Sequence, residues 1–246
     1  MMNAQKLAGL IEKSHHIVAL TGAGISTSAG IPDFRGPNGI YVTHQYDPEK
    51  TFDIDWFDTD PRTFFSFARD FLSTVDRIHP TQTHTFLAEL EQQGRLWSVI
   101  TQNIDGLHQK AGSRNVIEVH GSFQRGHCRK CGHGYSCDEL KGKILAEEVP
   151  HCDRCGGVIK PDIVFYGEAV RDMEEAESEA RHADLFLAIG TSLSVYPAAT
   201  LPTFSGGPVI SINRGALGLS VHGIESIERD IDEVFTEVRS TLSGSS

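Results

Sequence analysis

The chain has 246 residues, 33 acidic and 22 basic side chains, and a net charge of −11 at pH 7. That length supports one large α/β domain, or one domain carrying a smaller lobe, with a core that needs no disulfide staples. The charge disfavours a nucleic-acid backbone as partner and suits plain solubility or a basic partner such as a lysine-bearing protein tail. The most strongly apolar runs, such as 185–189, are too short to span a bilayer. Met1-Met2-Asn3-Ala4-Gln5-Lys6 lacks the basic-then-apolar pattern of a secretory signal, so a soluble, cytoplasmic protein is expected.

Asn3 is a candidate N-cap for a helix over 4–13, and the apolar run 17–20 reads as a strand ending at Thr21-Gly22. Gly22-x-Gly24 after that strand permits a tight turn and close approach of backbone to a pyrophosphate, with the next helix N-terminus supplying donors. Thr27 stands where the dinucleotide fingerprint has its third glycine, and no ribose-binding acid follows where that fingerprint expects one. The pattern argues against a standard dehydrogenase, and an ordinary strand–helix turn would carry the same glycines. Gly30-Ile31-Pro32-Asp33-Phe34-Arg35-Gly36 fits a mobile loop that folds over a ligand, or a plain glycine- and proline-punctuated turn. Residues 35–77 read as an aromatic-rich, irregular and then helical lid or small lobe.

A helical pattern covers 84–93. The Val99-Ile100 run then ends at Thr101-Gln102-Asn103-Ile104-Asp105, whose polar groups could fix a ribose, a carboxamide and a water, or simply cap a helix through Asn103 or Asp105. The run 116–119 ends at His120-Gly121, where a histidine serves as a general base or is only packed or solvated.

Cys128-x2-Cys131-x20-Cys152-x2-Cys155 has the spacing of two knuckles closing one tetrahedral zinc site. Four thiolates leave no open position, so the metal is expected to be structural, with Cys137, His127, His133 and His151 as spares. A nucleic-acid-binding ribbon is the competing reading. It has Arg125, Arg129, Lys130, Lys141, Lys143 and Arg154 in its favour, and neighbouring acids and the net charge against it.

Beyond the ribbon, 172–182 reads as a helix. The run 185–189 ends at Gly190-Thr191-Ser192, and 209–212 ends at Asn213. Asp230 and Glu233 have capping-box spacing ahead of a last helix with Ile231, Val234, Phe235, Val238 and Leu242 on one face, and 243–246 is expected to be disordered. Buried strands alternating with helices predict an α/β, doubly wound parallel sheet with ligands beyond the carboxyl ends of its strands. A smaller lobe of zinc ribbon and helical insertion completes it.

With these residues in order, the chain closely resembles the sirtuins, the NAD-dependent protein-lysine deacylases. The likeness spans roughly residues 8 to 240. It rests on Gly22-Ala23-Gly24-Ile25-Ser26, the 30–36 segment, Thr101-Gln102-Asn103-Ile104-Asp105, His120-Gly121, the paired cysteines and Gly190-Thr191-Ser192-Leu193. It implies a Rossmann-like NAD-binding domain from 1–34, 78–120 and 163–246, a cofactor loop and helical lobe at 35–77, and a zinc module at 121–162. In that family Gly22, Ala23, Gly24 and Thr27 would hold the phosphates of NAD, and Phe34 and Arg35 would belong to the loop closing over it. Gln102 and catalytic Asn103 would handle the nicotinamide ribose, and Ile104 and Asp105 the nicotinamide. Gly190, Thr191, Ser192, Asn213, Asp230 and Ile231 would form the adenosine end. Val164, Val195, Phe34 and His120 would line the acyl-lysine tunnel, with Tyr166 a more polar wall than the phenylalanine of many relatives. An acetyl-lysine protein or peptide would add as a strand between Gly167-Glu168 and Ser194-Val195.

The implied reaction transfers the acetyl group to ADP-ribose and releases nicotinamide, with His120 as general base and one structural Zn2+ taking no part. A Tyr-x-x-Arg pair serves acidic acyl groups in one branch of the family. Here 64–69 offers only Phe65 with Ala68 or Ser66 with Arg69, so deacetylation is expected over desuccinylation. Protein mono-ADP-ribosylation, deacylation of longer chains, and a non-catalytic NAD-sensing or zinc-ribbon module stay open as alternatives.

Overall fold

The computed structural model describes residues 1–32, 46–218 and 223–244. Its first elements are α1 (Ala4–Lys13), β1 (Ile17–Thr21), a 3-10 segment (Ala23–Ala29), α2 (Pro48–Thr51), α3 (Ile54–Thr59), α4 (Arg62–Val75) and α5 (Gln82–Gln92). Then come β2 (Leu96–Thr101), α6 (Leu107–Ala111), β3 (Val116–Glu118), β4 (Gly121–Cys128), β5 (Gly134–Ser136), α7 (Cys137–Ala146) and β6 (Ile159–Ile163). The chain finishes with α8 (Met173–His182), β7 (Leu185–Ile189), a second 3-10 segment (Ala198–Phe204), β8 (Val209–Ile212), β9 (Ile224–Ile227) and α9 (Ile231–Gly244). Among the described residues no helix is long and apolar enough to cross a membrane.

The chain divides into two compact units, Met1–Ile31 with His79–Val119 and Asp172–Ser246, and Pro32–Ile78 with His120–Arg171. The first is built on a six-stranded sheet in the order β3-β2-β1-β7-β8-β9, every neighbouring pair parallel. Strands β1, β7 and β8 are buried along their whole length, which is why they read as unbroken apolar runs rather than alternating ones. The strand order reverses between β1 and β7, and Thr21 pairs with both Thr101 and Ile189, so the carboxyl ends of β1, β2 and β7 lie level there. That is the point at which open α/β sheets bind ligands.

Helices cover this sheet because each buries one apolar stripe: Leu7 and Ile11 of α1, Phe86, Leu87 and Leu90 of α5, and Val234, Phe235 and Val238 of α9 join one core. Asn3 caps α1 by accepting the Lys6 N–H at 3.0 Å, and Asp230 accepts the Glu233 N–H at 3.0 Å at the head of α9. One local expectation is corrected. Ser243 and Gly244 are helical rather than disordered, the Ser243 hydroxyl donating to the Arg239 carbonyl at 2.9 Å; Ser245 and Ser246 lie outside the described residues. The helix after Gly22 is of the 3-10 type and is closed by Gly30 in the left-handed region (φ +96°).

The second unit pairs a three-stranded antiparallel sheet, β5-β4-β6, with α2, α3, α4 and α7. Its apolar interior is aromatic: Phe57, Phe64, Phe65 and Phe165 are buried, and the Phe64 ring lies 4.9 Å from that of Phe165 and 5.6 Å from that of Phe57.

Candidate active site and metal centre

At the switch point of the parallel sheet the two glycine turns interlock. The Gly22 N–H donates to the Ile189 carbonyl at 3.0 Å and the Gly24 N–H to the Gly190 carbonyl at 2.9 Å. A Cβ on Gly22 would stand 2.8 Å from the Gly190 oxygen, and one on Gly24 would stand 2.8 Å from the Gly190 Cα. The fold itself therefore requires glycine at both positions, apart from any ligand. Thr27 is exposed and its hydroxyl donates to the Gly24 carbonyl at 3.0 Å, while Ala23 is half-buried.

The turn after β2 is organised from below. The Thr101 hydroxyl accepts the Asn103 N–H at 3.1 Å and itself receives the Thr21 hydroxyl at 2.9 Å. The Asn103 side-chain amide donates to the Gly22 carbonyl at 3.2 Å and to Ser26 Oγ at 3.3 Å, and Ser26 donates on to Asp105 Oδ2 at 2.8 Å. Asp105 Oδ1 accepts the Leu107 N–H at 2.9 Å, an Asx-type turn leading into α6, whose cap position is Gly106. Gln102 donates from Nε2 to the Thr191 hydroxyl at 3.2 Å, and Ile104 is half-buried. Ser26, Asn103 and Asp105 thus form one buried hydrogen-bonded network tied to the Gly22 carbonyl, and the half-buried Gln102 pairs separately with Thr191.

Sequence reasoning quoted Ser26 without giving it a role, yet it is the hub between Asn103 and Asp105. The serine four residues after Gly22 was the available signal. His108 was also missed: its Nε2 lies 2.9 Å from the Thr21 hydroxyl, and its ring lies tilted against that of His84, centroids 4.6 Å apart. Burial holds both imidazoles neutral, pulling His84 down to about 4 and His108 well below its ordinary value.

Burial also pushes the Asp105 carboxyl up, against hydrogen bonds from Leu107, Ser26 and Asn103 that favour the charge. Its folded pKa lies above its unfolded one, so ionised Asp105 costs the fold free energy. The penalty is absent below the unfolded value of about 3.9 and grows as pH rises through the folded value. Asp105→Asn is therefore expected to melt higher than wild type at pH 7 and to lose that gain toward about pH 4, where the wild-type acid is itself neutral. Thermal melts at both pH values check this; an equal shift at both would contradict it.

The other first-unit candidates lie further along the same sheet edge. Ser192 and Ser194 share a hydroxyl contact at 2.7 Å, the Ser192 carbonyl accepts the Gly218 N–H at 2.6 Å, and the Val195 carbonyl accepts the Ala199 N–H at 2.9 Å. Asn213 donates its N–H to the Ile227 carbonyl at 3.3 Å, and Asp230 pairs with Arg214 at 2.7 Å. Ile231 has its side chain in the hydrophobic core. Phe34 and Arg35 lie outside the described residues.

In the second unit, His120 is half-buried and immediately precedes β4. Its carbonyl accepts the Val164 N–H at 2.9 Å, and Gly121 takes φ +69° where a Cβ would collide with the Asp162 carbonyl. Val164 is half-buried. Tyr166 is 47% exposed, which corrects the expectation of a buried phenol. Its backbone bonds both ways, N–H to Phe52 at 2.7 Å and carbonyl from Ile54 at 3.1 Å, and strand alternation then turns Phe165 inward and Tyr166 outward. Gly167 has φ +91°, and the Glu168 carboxylate accepts the Phe165 N–H at 2.9 Å.

The four paired cysteines form a metal centre: the sulfur atoms of Cys128, Cys131, Cys152 and Cys155 all lie within 4.8 Å of one another. Each pair is one knuckle turned by a left-handed glycine, Gly132 (φ +70°) and Gly156 (φ +67°), whose N–H groups return to the Cys128 and Cys152 carbonyls at 2.9 Å. The donor set is all sulfur and converges on one point, which fits zinc. Among the described residues neither Cys137 nor a histidine joins it. Three of the six basic residues of the ribbon are paired with acids, Arg129 with Asp58 at 2.5 Å, Lys141 with Asp76 at 2.5 Å and Lys143 with Asp153 at 2.7 Å, which weakens the nucleic-acid reading.

These two halves, a nucleotide-type sheet edge with a buried Ser-Asn-Asp network and a four-cysteine ribbon running up to a histidine, are matched in known proteins. The Sir2 family model matches residues 22–197. The NAD-dependent protein deacetylase of Sulfurisphaera tokodaii is 46% identical over 215 residues, covering 86% of this chain and 85% of that protein. A solved Sir2 enzyme superposes with a TM-score of 0.89 at 37% identity over 99% of both chains. A Sir2 structure with a deacetylated p53 peptide and 3′-O-acetyl-ADP-ribose gives 0.87 at 38% identity over 97% of this chain and 98% of that one. The family profile over residues 22–197, a relative over 86% of the chain and solved structures over 97% and 99% of it agree, and the chain belongs to the Sir2 family.

Proposed function

We propose that this protein is an NAD-dependent protein-lysine deacetylase that transfers the acetyl group of acetyl-lysine to ADP-ribose, releasing nicotinamide. The observation that carries this reading is the Ser26–Asn103–Asp105 network, a buried polar cluster at the switch point of a parallel sheet. NAD, when bound, supplies a ribose carbon with nicotinamide as leaving group and the ADP-ribose that accepts the acetyl group.

The chain's own residues supply positioning and proton transfer. Gly22, Ala23, Gly24 and Thr27 hold the phosphates; Thr191, Ser192, Asn213, Asp230 and Ile231 form the adenosine end. Gln102 and Asn103 orient the nicotinamide ribose, and Ile104 and Asp105 receive the carboxamide. Asn103 is held from two sides, by Gly22 and Ser26, so its orientation is set before ligand arrives. His120 takes a proton from a ribose hydroxyl as general base. Acetyl-lysine peptides add as a strand along Gly167-Glu168, with Val164 beside the acyl chain. Zinc on the four thiolates holds the ribbon together and takes no part in the reaction. Cysteines used for metal rather than disulfides support a cytoplasmic site of action.

The acyl preference follows from Arg69. Its guanidinium is committed to backbone carbonyls, donating to Glu147 at 2.9 Å and Glu148 at 3.0 Å, and Phe65 and Ala68 are fully buried. No cation in this helix is left to compensate an acyl carboxylate. Acetyl-lysine peptide is therefore expected to turn over at least about a hundredfold faster than its succinyl counterpart. Mass spectrometry of both peptides with and without NAD tests this and the activity together. Loss of acetyl mass with nicotinamide and acetylated ADP-ribose supports the reading, and gain of ADP-ribose on a protein target would replace it with mono-ADP-ribosylation.

A further inference from the structure

Among the described residues Lys160 is the one lysine or arginine that is buried, with 2% of its surface exposed. A buried ammonium is costly, and an apolar side chain of similar volume would often serve stability as well or better. What the charge fixes therefore explains it better than what it contributes to stability. An ammonium has three donors. Those of Lys160 are spent on one short stretch: the Ile163 carbonyl at 2.6 Å, Glu168 Oε2 at 2.8 Å and, more weakly, the Pro161 carbonyl at 3.4 Å. The Phe165 ring lies 4.0 Å beneath Nζ.

The stretch so held is the one leaving β6. The Glu168 oxygen that receives Lys160 also accepts the Phe165 N–H at 2.9 Å, and the Glu168 N–H returns to the Phe165 carbonyl at 3.0 Å. Between them Gly167 takes φ +91°, where a Cβ would press within 2.9 Å of Ile54. At the other end the Val164 N–H binds the His120 carbonyl at 2.9 Å. The ammonium thus ties both ends of residues 163–168, and the Glu168 side chain points inward to it rather than toward a ligand.

We propose that the buried Lys160–Glu168 pair is a positioning device that holds residues 163–168 in the shape that receives the substrate strand. It rests on the strand-addition mode of the deacetylase reading above. A peptide that pairs backbone to backbone reads this shape; a substrate with no neighbouring peptide units does not.

The test compares, for each enzyme, an acetyl-lysine peptide of about ten residues with Nα,Nε-diacetyl-lysine amide, and follows KM for NAD and Tm beside them. Wild type is expected to prefer the long peptide. In Lys160→Met that preference falls by about tenfold or more, through KM for the peptide, while KM for NAD stays within about twofold. If wild type shows no preference for the long peptide, strand addition itself fails, and the proposal with it. A wild-type preference that survives intact in Lys160→Met overturns the proposal alone, as does an equal loss on both substrates accompanied by a lower Tm. Should Lys160→Met fail to fold, Glu168→Gln, which keeps the outline of the side chain but takes the counter-charge from the ammonium, decides by the same comparison.

Discussion

Replacing His120 with alanine is expected to lower kcat on acetyl-lysine peptides by about 10²–10⁴-fold, the usual worth of a positioned general base. Tm and NAD affinity should stay close to wild type. The physical reason lies in how the residue is held. The bond to Val164 uses the His120 carbonyl, and the sharp turn beside it belongs to Gly121, so the substitution removes the imidazole without touching either anchor. The groups proposed to orient the nicotinamide ribose, Gln102 and Asn103, keep their own partners, Thr191, Gly22 and Ser26. Single-turnover kinetics with calorimetric NAD titration separates the two effects. Retention of more than about a tenth of wild-type kcat would move the base elsewhere.

Removing zinc is expected to have the largest effect on stability. Structural sites of this type bind with about 10–16 kcal/mol at pH 7, comparable to or larger than the whole stability of a typical domain. The four cysteines lie on loops and strand ends of a sheet with three short strands, and Cys128 ends the same strand that begins next to His120. Strand β6, paired to β4 through Cys128↔Ile159 and Gly121↔Ile163, leads into residues 163–168, proposed above to receive the substrate strand. Loss of the metal should therefore propagate along β4 and β6 and remove activity, although the ion takes no part in the chemistry. Treatment with a strong chelator under reducing conditions should release one zinc per chain, lower Tm by on the order of 10 °C or more and abolish deacetylation. Re-addition of zinc, but not magnesium, should restore both. A zinc-free protein that melts and turns over like wild type would contradict the assignment.

The Asp105 substitution belongs to another class, because it is expected to separate stability from activity. A buried acid that costs the fold free energy at neutral pH and is kept at the head of a polar network is the pattern of a residue held for function. Asp105→Asn should melt higher at pH 7 and turn over more slowly, which an acid serving only the turn would not do.

Some of this was legible from residues alone because the chemistry is local. Strands β1, β7 and β8 are apolar runs bounded by polar or glycine turns, and complete burial in a parallel sheet produces that signature. The α1 and α9 caps need only a side chain three residues from its donor. Two Cys-x-x-Cys knuckles carry their own geometry, and so they announced the metal centre. The edge strand β9 gave no such signal: Ile224-Glu225-Ser226-Ile227 is short, polar in its middle and defined by its pairing with β8. Helix α6 is a turn of five residues whose start depends on Asp105.

The site divides the same way. Residue types and order along the chain determined a nucleotide-type turn, a polar cluster after β2, a strand-end histidine and a four-thiolate centre, since each is a property of a few neighbouring residues. Which groups meet was decided only by the tertiary structure. Ser26 reaches Asp105 across 79 positions, Gln102 reaches Thr191 across 89, and Arg69 is engaged by carbonyls 78 and 79 residues away. The burial of Lys160 and the exposure of Tyr166 are likewise invisible in a linear pattern. A side chain's environment is set by which segments the fold packs around it, and that packing is fixed by the sum of many distant contacts rather than by its neighbours in sequence.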